Sequence, residues 1–257
     1  MSDQPNLPDE NSPQQAIPIT FARVLEILER GVFEEIAGLV RWSSNYTFLT
    51  SVTLENIQLP VIYKPQKGER PLWDFPDGTL CYRERAAFLV AEALEWQIVP
   101  PTVLRAGPRG LGSVQFFIDH NPEYHYFEFD ETLLPQLARL ALFDVIVNNA
   151  DRKAGHCLVD SQGHLWGIDH GICFHATPKL RTVIWDFAGQ PAPSSLLEAL
   201  PPLASQLQQP ENSLRRELDS LLSPREIDAL LLRINRIVTD KHYPLPGLGP
   251  NQPWPPI

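Results

Sequence analysis

The sequence predicts an α+β fold in two lobes, a small lobe built on an antiparallel sheet and a larger, mainly helical lobe. Two observations support this prediction. Up to residue 118, short apolar or alternating runs are separated by turn residues, which is typical of strands and hairpins. After residue 130, apolar residues recur at the three- and four-residue spacing of helices. A chain of 257 residues is long enough for one large domain or for two such lobes.

Four segments are expected along the chain. Residues 1–18 contain four prolines and few apolar residues, which predicts a disordered tail. The small lobe is expected over residues 19–118 and the helical lobe over 119–242. Residues 243–257 carry six prolines. This last segment is interpreted either as polyproline II packed on the surface with Trp254 as its anchor, or as a disordered tail.

The small lobe should begin with a helix that Thr20 caps and Gly31 ends. Two strands should follow, joined by a turn at Asn56, and then a second helix. Proline favours an extended backbone after that helix, before a last strand. The runs that correspond to these elements, in order, are FARVLEILER, FLTSVTLE, LPVIYKP, LCYRERAAFLVAEALEW, QIVPPTVLR and SVQFFID.

The second lobe should open with a long helix, DETLLPQLARLALFDVIVNN, which Asp130 can cap. Two short strands, HCLVD and LWGID, are joined by SQGH and should pair as a hairpin. From Thr182 onward the pattern is helical. It includes a capping box from Ser223 to Glu226 with a proline at the first helical position.

Charge and cysteine content limit the cellular setting and the partners. Lysine plus arginine number 21 and aspartate plus glutamate 31, a net charge of −10. Such a surface repels phosphate backbones and anionic lipids, so we expect neither nucleic-acid binding nor stable membrane association. The three cysteines form no CxxC pair, and the first residues do not resemble a signal peptide. These observations favour a cytoplasmic protein with reduced thiols.

The residues most suggestive of chemistry lie between Asn148 and His175. Asp151 follows the long helix on a polar loop, His156 starts the hairpin, and Asp169 ends it. A hairpin returns the chain on itself, so His156 and Asp169 should be neighbours, with Asp151 facing them. Two carboxylates and an imidazole at one point can hold a divalent cation and orient a hydroxyl.

The small lobe offers groups suited to a nucleotide. Lys64 lies on an apolar strand, where its ammonium could reach phosphates, and Glu84 lies on a helix that could pair with it. Arg83 and Arg85 are alternative partners for Glu84, and Lys64 could instead be an exposed lysine at a strand end. The run Gln115, Phe116 and Phe117 could join the lobes and offer backbone groups to adenine.

This ordered set resembles the protein-kinase-like superfamily, in particular phosphatidylinositol 3- and 4-kinase-like and HipA-like kinases. In that group a strand lysine, a helix glutamate, D-R-x-x-x-N and I-D-x-G occur in this order. More narrowly, the chain is similar to a bacterial family of uncharacterised kinase-like proteins. The segments that carry the similarity are YKP, GERPLWDFP, RERAA, NNADRKAGH and IDHG.

The resemblance implies a two-lobed protein-kinase-like fold and an ATP-dependent phosphotransferase that uses Mg²⁺ or Mn²⁺. Asp151 would then be the catalytic aspartate, and Asp169 with His156 would bind the metal. The nucleotide would be held by Lys64, Glu84, Gln115, Phe116, Phe117, Ser44 and Asn45. The acceptor, a protein or a small molecule, is not specified by the sequence.

Two departures from the superfamily pattern keep a second interpretation open. The glycine-rich phosphate loop is absent, and SSNYT, which includes Ser44 and Asn45, takes its place. The metal-binding asparagine is replaced by His156, and imidazole suits softer ions better than Mg²⁺. A catalytically impaired pseudokinase that senses nucleotide or acts as a scaffold is therefore the alternative. Arg152 and Lys153 could bind phosphate or be solvated loop charges.

Overall fold

The fold is described from a computed structural model, which covers residues 19–34, 38–39 and 46–257. Within these ranges the chain forms the two expected lobes, a curled antiparallel sheet and a helical lobe with a small hairpin. The tail expected over residues 1–18 lies outside the described residues, as do Ser44 and Asn45.

The described part of the small lobe has six strands in one antiparallel sheet. Five of them are ordered β1–β3–β4–β6–β5, and the short β2 also pairs with β3. The predicted hairpin of FLTSVTLE and LPVIYKP is confirmed, and Glu55 at its turn has a φ of +56°. The six strands are β1 Val32–Phe33, β2 Gly38–Leu39, β3 Phe48–Leu54, β4 Ile57–Pro65, β5 Thr102–Gly107 and β6 Gly110–Phe116.

Helix α1, Phe21–Arg30, covers one face of this sheet. The Thr20 hydroxyl accepts a hydrogen bond from the Arg23 N–H, and the helix ends before Gly31, as the sequence predicts. The residues that β4 buries under this helix alternate along the strand: Leu59, Val61 and Tyr63. Because strand side chains alternate between faces, Pro60, Ile62 and Lys64 project from the opposite face. That face meets the helical lobe.

Helix α2, Leu80–Ala93, bridges the two lobes. It packs against β5 and β6 and also contributes Phe88 and Val90 to the large core of the helical lobe. That core is completed by helices α3 Leu134–Val147, α4 Ser194–Leu197, α5 Leu200–Gln208, α6 Ser213–Leu221 and α7 Pro224–Asp240. The predicted hairpin is present as β7 Cys157–Val159 and β8 Leu165–Gly167. The capping box at Ser223 is confirmed as well.

Two expectations, one for the helical lobe and one for the proline-rich tail at residues 243–257, are wrong. The segment after Thr182 is irregular up to α4. The backbone N–H groups of Thr182 and Val183 donate to the carbonyls of Asn251 and Arg152 in other loops, so they make no i→i−4 helical hydrogen bonds. The tail does not use Trp254 as an anchor, since that side chain is 89% exposed. The tail instead packs through its backbone, where the Pro256 carbonyl accepts a hydrogen bond of 2.8 Å from the Ala154 N–H. In the described ranges, no helix is both long and apolar enough to cross a bilayer.

Candidate active site

Lys64 stands where the two lobes meet. Its Nζ lies 2.5 Å from Glu84 Oε1 and 2.9 Å from Asp169 Oδ1, so one ammonium joins a carboxylate of each lobe. The side chain is 20% exposed and is not a solvated lysine at a strand end. The charges of Asp169 and Glu84 outweigh the opposing effect of burial and raise the pKa of Lys64. The lysine is therefore cationic at neutral pH.

Glu84 links the sheet to the turn that follows the hairpin. Its Oε1 accepts from Lys64, and its Oε2 accepts from the His170 N–H at 3.0 Å. Arg83 and Arg85 have partners elsewhere, the first in Glu226 and the second in Glu217. The alternative pairing of Glu84 with its flanking arginines is therefore wrong, and the pairing with Lys64 is confirmed.

The β7–β8 hairpin places His156 beside Asp169, as its geometry predicts. The Ile168 N–H donates to the His156 carbonyl, which closes the open end of the hairpin. His156 Nε2 then lies 3.3 Å from Asp169 Oδ2. Asp169 has a φ of +59°, a left-handed conformation that non-glycine residues adopt infrequently and that clusters at functional sites.

The ionisation of these two groups follows from their surroundings. Burial alone would raise the pKa of Asp169, but the charge and hydrogen bond of Lys64, together with the other groups around the carboxylate, outweigh burial and hold the pKa well below its usual value. Burial lowers the pKa of the His156 ring to about 4, against the opposing charge of Asp169. At neutral pH a carboxylate therefore faces a neutral imidazole.

Asp151 lines the same small cavity as Lys64, Glu84 and Asp169, a cavity of about 30 Å³. Its carboxylate has Lys153 Nζ 3.9 Å from Oδ2. Burial raises the pKa of Asp151 to about 6, against the opposing charge of Lys153. A carboxylate with a pKa close to neutral is suited to accept a proton.

The loop that carries Asp151 is held from beneath by a buried ion pair that the sequence analysis did not identify. Arg152 is fully buried, and its guanidinium lies 2.9 Å from Asp144 on α3. It also donates to the His156 and Ile168 carbonyls and lies 2.7 Å from His170 Nε2. Arg152 therefore neither binds phosphate nor is solvated, and both interpretations of it are wrong. It ties Asp151's loop to the hairpin and to the turn at Asp169.

The run Gln115, Phe116 and Phe117, expected to form the hinge between the lobes, has different contacts at each residue. The Gln115 side chain is buried and donates to Thr102 Oγ1 at 2.8 Å, within the sheet. Phe116 packs against the small-lobe core on the far side of the sheet. The N–H groups of Phe116 and Phe117 donate to the carbonyls of Pro101 and Pro60. The expectation that these two N–H groups would be available to adenine is therefore wrong.

A cavity of about 600 Å³ lies at this hinge, further along the face of β4 that carries Lys64. Cavities of 300–1,000 Å³ are typical of small-molecule sites. Its lining combines apolar and polar residues from both lobes: Leu49, Thr50, Ser51, Pro60, Phe116, Phe117, Ile118, Asp119, Asp160, Ser161, Gln162 and Trp166.

The donor set near Asp169 suits a divalent cation bound together with phosphates. Asp169 Oδ2 and His156 Nε2 offer one oxygen and one nitrogen on the same side. In the residues that the structure describes, no group of three or more His, Cys, Asp or Glu side chains could enclose an ion alone. Ions that complete their coordination with nucleotide phosphates and water need only one or two protein ligands. The residues therefore fit a metal–nucleotide complex.

Comparison with a curated relative decides the family. The chain is 38% identical over 255 residues to Protein Rv2133c of Mycobacterium tuberculosis, and the match covers 86% of this chain and 91% of the relative. The chain belongs to the family of Protein Rv2133c, within the kinase-like superfamily.

Other matches agree with this placement. Residues 104–206 match the phosphatidylinositol 3- and 4-kinase family. Phosphatidylinositol 4-kinase gamma 4 of Oryza sativa subsp. japonica is 35% identical over 85 residues, 29% of this chain and 15% of that protein. The crystal structure of the Helicobacter pylori proinflammatory kinase CtkA aligns with a TM-score of 0.50 at 12% identity, covering 82% of this chain and 93% of CtkA. At that identity the likeness concerns the fold, which is kinase-like.

Proposed function

We propose that this kinase-like protein binds ATP with a divalent cation between its lobes and transfers the γ-phosphoryl group to an acceptor hydroxyl. The observation that supports this most directly is the contact of Lys64 with both Glu84 and Asp169, while Asp151 lines the same cavity. Phosphoryl transfer needs a positioned positive side chain, ligands for a metal ion and a carboxylate that can accept a proton. Lys64 is the first, Asp169 and His156 are the candidate ligands, and Asp151 is the carboxylate.

Each side chain has a distinct part in the proposed reaction. Glu84 holds Lys64 at the point where the phosphates would lie, so the ammonium is positioned before nucleotide arrives. Asp169 and His156 would hold the cation, which neutralises phosphate charge when bound. The base would occupy the 600 Å³ cavity at the hinge, beside Phe117.

Asp151 is proposed to accept the proton of the acceptor hydroxyl. The freed oxygen forms a bond to the γ-phosphorus as the bond from that phosphorus to the β-phosphate oxygen breaks, and ADP leaves with that electron pair. Lys153, 3.9 Å from Asp151, places a second positive charge beside the transferring group. The acceptor is a protein or a small molecule that carries a hydroxyl.

The alternative is a pseudokinase that senses nucleotide, and the presence of His156 in place of the metal-binding asparagine favours it. In either case a phosphate group would require Asp169 to turn from Lys64 toward the cation, because the cavity around Lys64 has only about 30 Å³. Nucleotide binding with no transfer would support this alternative.

Replacing Lys64 or Asp169 should weaken ATP binding. Lys64→Met and Asp169→Asn are each expected to lower the affinity for ATP and Mn²⁺ by about 10- to 100-fold, because each removes a charge-assisted contact worth roughly 1.5–3 kcal/mol. Isothermal titration calorimetry measures this. Lys67→Met is the matched control, since Lys67 is an exposed lysine three residues further along the chain, in the turn that follows β4. Wild-type affinity in all three variants would exclude the proposed nucleotide site.

Transfer should also depend on pH through Asp151. The carboxylate must be ionised to accept a proton, and burial raises its pKa to about 6. The rate should therefore be constant above about pH 7 and fall toward tenfold per unit below pH 6. The rate at saturating ATP between pH 5 and 8 gives this profile. An inflection that persists unchanged in Asp151→Asn would assign the titration to another group.

A further inference from the structure

We propose that the cation site of this protein selects a first-row transition ion that accepts imidazole, with His156 Nε2 as its ligand, in preference to Mg²⁺. This inference rests on the proposed function, since it concerns the ion that would accompany ATP. It goes further by assigning the ligand atom and the class of metal.

The shorter of the two contacts of His156 Nδ1 assigns the proton of the neutral ring to that nitrogen. Nδ1 lies 3.0 Å from the Asp151 carbonyl oxygen. Because a carbonyl can only accept, Nδ1 must donate, and an unprotonated Nδ1 would set two lone pairs against each other. The Lys153 N–H also points at Nδ1, but at 3.4 Å it is the weaker contact and cannot coexist with a protonated Nδ1.

The neutral ring therefore presents a bare Nε2 lone pair toward the cleft. That lone pair faces Asp169 Oδ2 at 3.3 Å, which is a repulsive pairing of two acceptors unless a cation lies between them. The other oxygen of Asp169 is engaged by Lys64, so Oδ2 is the one directed at the imidazole. These two acceptor atoms are therefore placed to act as two ligands of one metal ion.

The spacing suits one shared ion. With metal–ligand bonds of about 2.0 to 2.2 Å, two donors 3.3 Å apart subtend roughly 95–110° at the metal. Tetrahedral and octahedral coordination both accept angles in or near that range. A histidine whose second nitrogen donates to a backbone carbonyl is also the usual arrangement of metal-binding imidazoles, because that bond fixes the ring and its tautomer.

The chemistry of the donors then discriminates among ions. Mg²⁺ favours oxygen ligands, whereas imidazole nitrogen suits later first-row ions, whose affinities rise from Mn²⁺ to Co²⁺. A mixed pair of one carboxylate oxygen and one imidazole nitrogen should therefore favour Co²⁺ and Mn²⁺ over Mg²⁺ more strongly than ATP alone does.

The test uses the full chain with a non-hydrolysable ATP analogue and Mg²⁺, Mn²⁺ or Co²⁺ as probes. Calorimetry gives the affinity of each metal–nucleotide pair for wild type and for His156→Asn, which offers an amide oxygen instead. Pulsed electron paramagnetic resonance of bound Mn²⁺, with histidine labelled by ¹⁵N, reports whether a histidine nitrogen is a ligand. The matched control is His242→Asn, because His242 is exposed and its Nδ1 likewise lies beside a backbone carbonyl.

We expect histidine nitrogen coupling to Mn²⁺ in wild type and in His242→Asn, and none in His156→Asn. The ratio of Co²⁺ to Mg²⁺ affinity should fall by about tenfold or more in His156→Asn. Bound Mn²⁺ without nitrogen coupling would overturn this inference and leave the proposed function standing. Failure of the wild type to bind the analogue with any of the metals would overturn both. Circular dichroism of His156→Asn shows whether that variant is folded, and His156→Gln provides a second substitution at the same position.

Discussion

Asp151→Asn should abolish most phosphoryl transfer while leaving ATP affinity close to that of the wild type. The carboxylate lines the cavity of Lys64 and Asp169, but no ion pair in the described residues joins it to either of them. Its proposed task is to accept a proton, and loss of a positioned general base typically lowers a rate about 10²- to 10⁴-fold. Asparagine keeps the shape of the side chain and cannot take the proton.

The measurement is transfer of labelled γ-phosphate, to the protein itself or to proteins and small molecules of a cell lysate. Nucleotide affinity is measured on the same preparations. Asp169→Asn provides the contrast, because it should weaken both nucleotide affinity and transfer. Undiminished transfer by Asp151→Asn would remove Asp151 from the mechanism. Intact ATP binding with no transfer by the wild type under any metal would favour the pseudokinase.

Much of this site could be predicted from the order of residues along the chain. A hairpin must bring its two open ends together, so the proximity of His156 and Asp169 followed from two short strands and a four-residue connection. The pairing of Lys64 with Glu84 was expected from a strand lysine and a helix glutamate in the same lobe, and it is present although the helix packs on β5 and β6. The first of these inferences depends only on local elements and on the direction in which the chain returns.

The order of residues does not predict which side chains of different elements contact each other, and the buried pair of Arg152 with Asp144 is the example here. Nothing in the polar loop DRKAGH indicates that Arg152 points into the core, because a charged loop residue is ordinarily solvated. The available signal was Asp144, a single carboxylate within the apolar run LALFDVIV of α3. A carboxylate fully inside a core needs a cationic partner, so this isolated aspartate indicates a buried lysine or arginine elsewhere in the chain.

Backbone contacts explain the remaining differences. The amide groups of Phe116 and Phe117 are taken by Pro101 and Pro60, partners that lie in other segments and that strand patterns do not specify. The tail reaches Ala154 through the Pro256 carbonyl, a contact that depends on backbone geometry alone. Sequence patterns report side-chain periodicity and carry no information on such pairs.

Asp144→Asn should destabilise the protein more than any surface substitution of the same kind. Arg152 and Asp144 are both fully buried, with 2.9 Å between Nε and Oδ2. Neutralising one partner leaves the other as an uncompensated buried charge, which costs about 3–5 kcal/mol. Since Arg152 also donates to the His156 and Ile168 carbonyls, the loop of Asp151 should loosen at the same time.

Chemical denaturation followed by circular dichroism measures the change in stability. Asp240→Asn is the matched control, because it removes a carboxylate from an exposed i,i+4 pair with Arg236, and such pairs contribute at most about 1 kcal/mol. Replacing both buried partners, in Asp144→Leu with Arg152→Met, should recover part of the loss, since no unpaired charge remains in the core although the His156 and Ile168 carbonyls lose their donor. If Asp144→Asn were as stable as Asp240→Asn, the ion pair would not be what holds the loop.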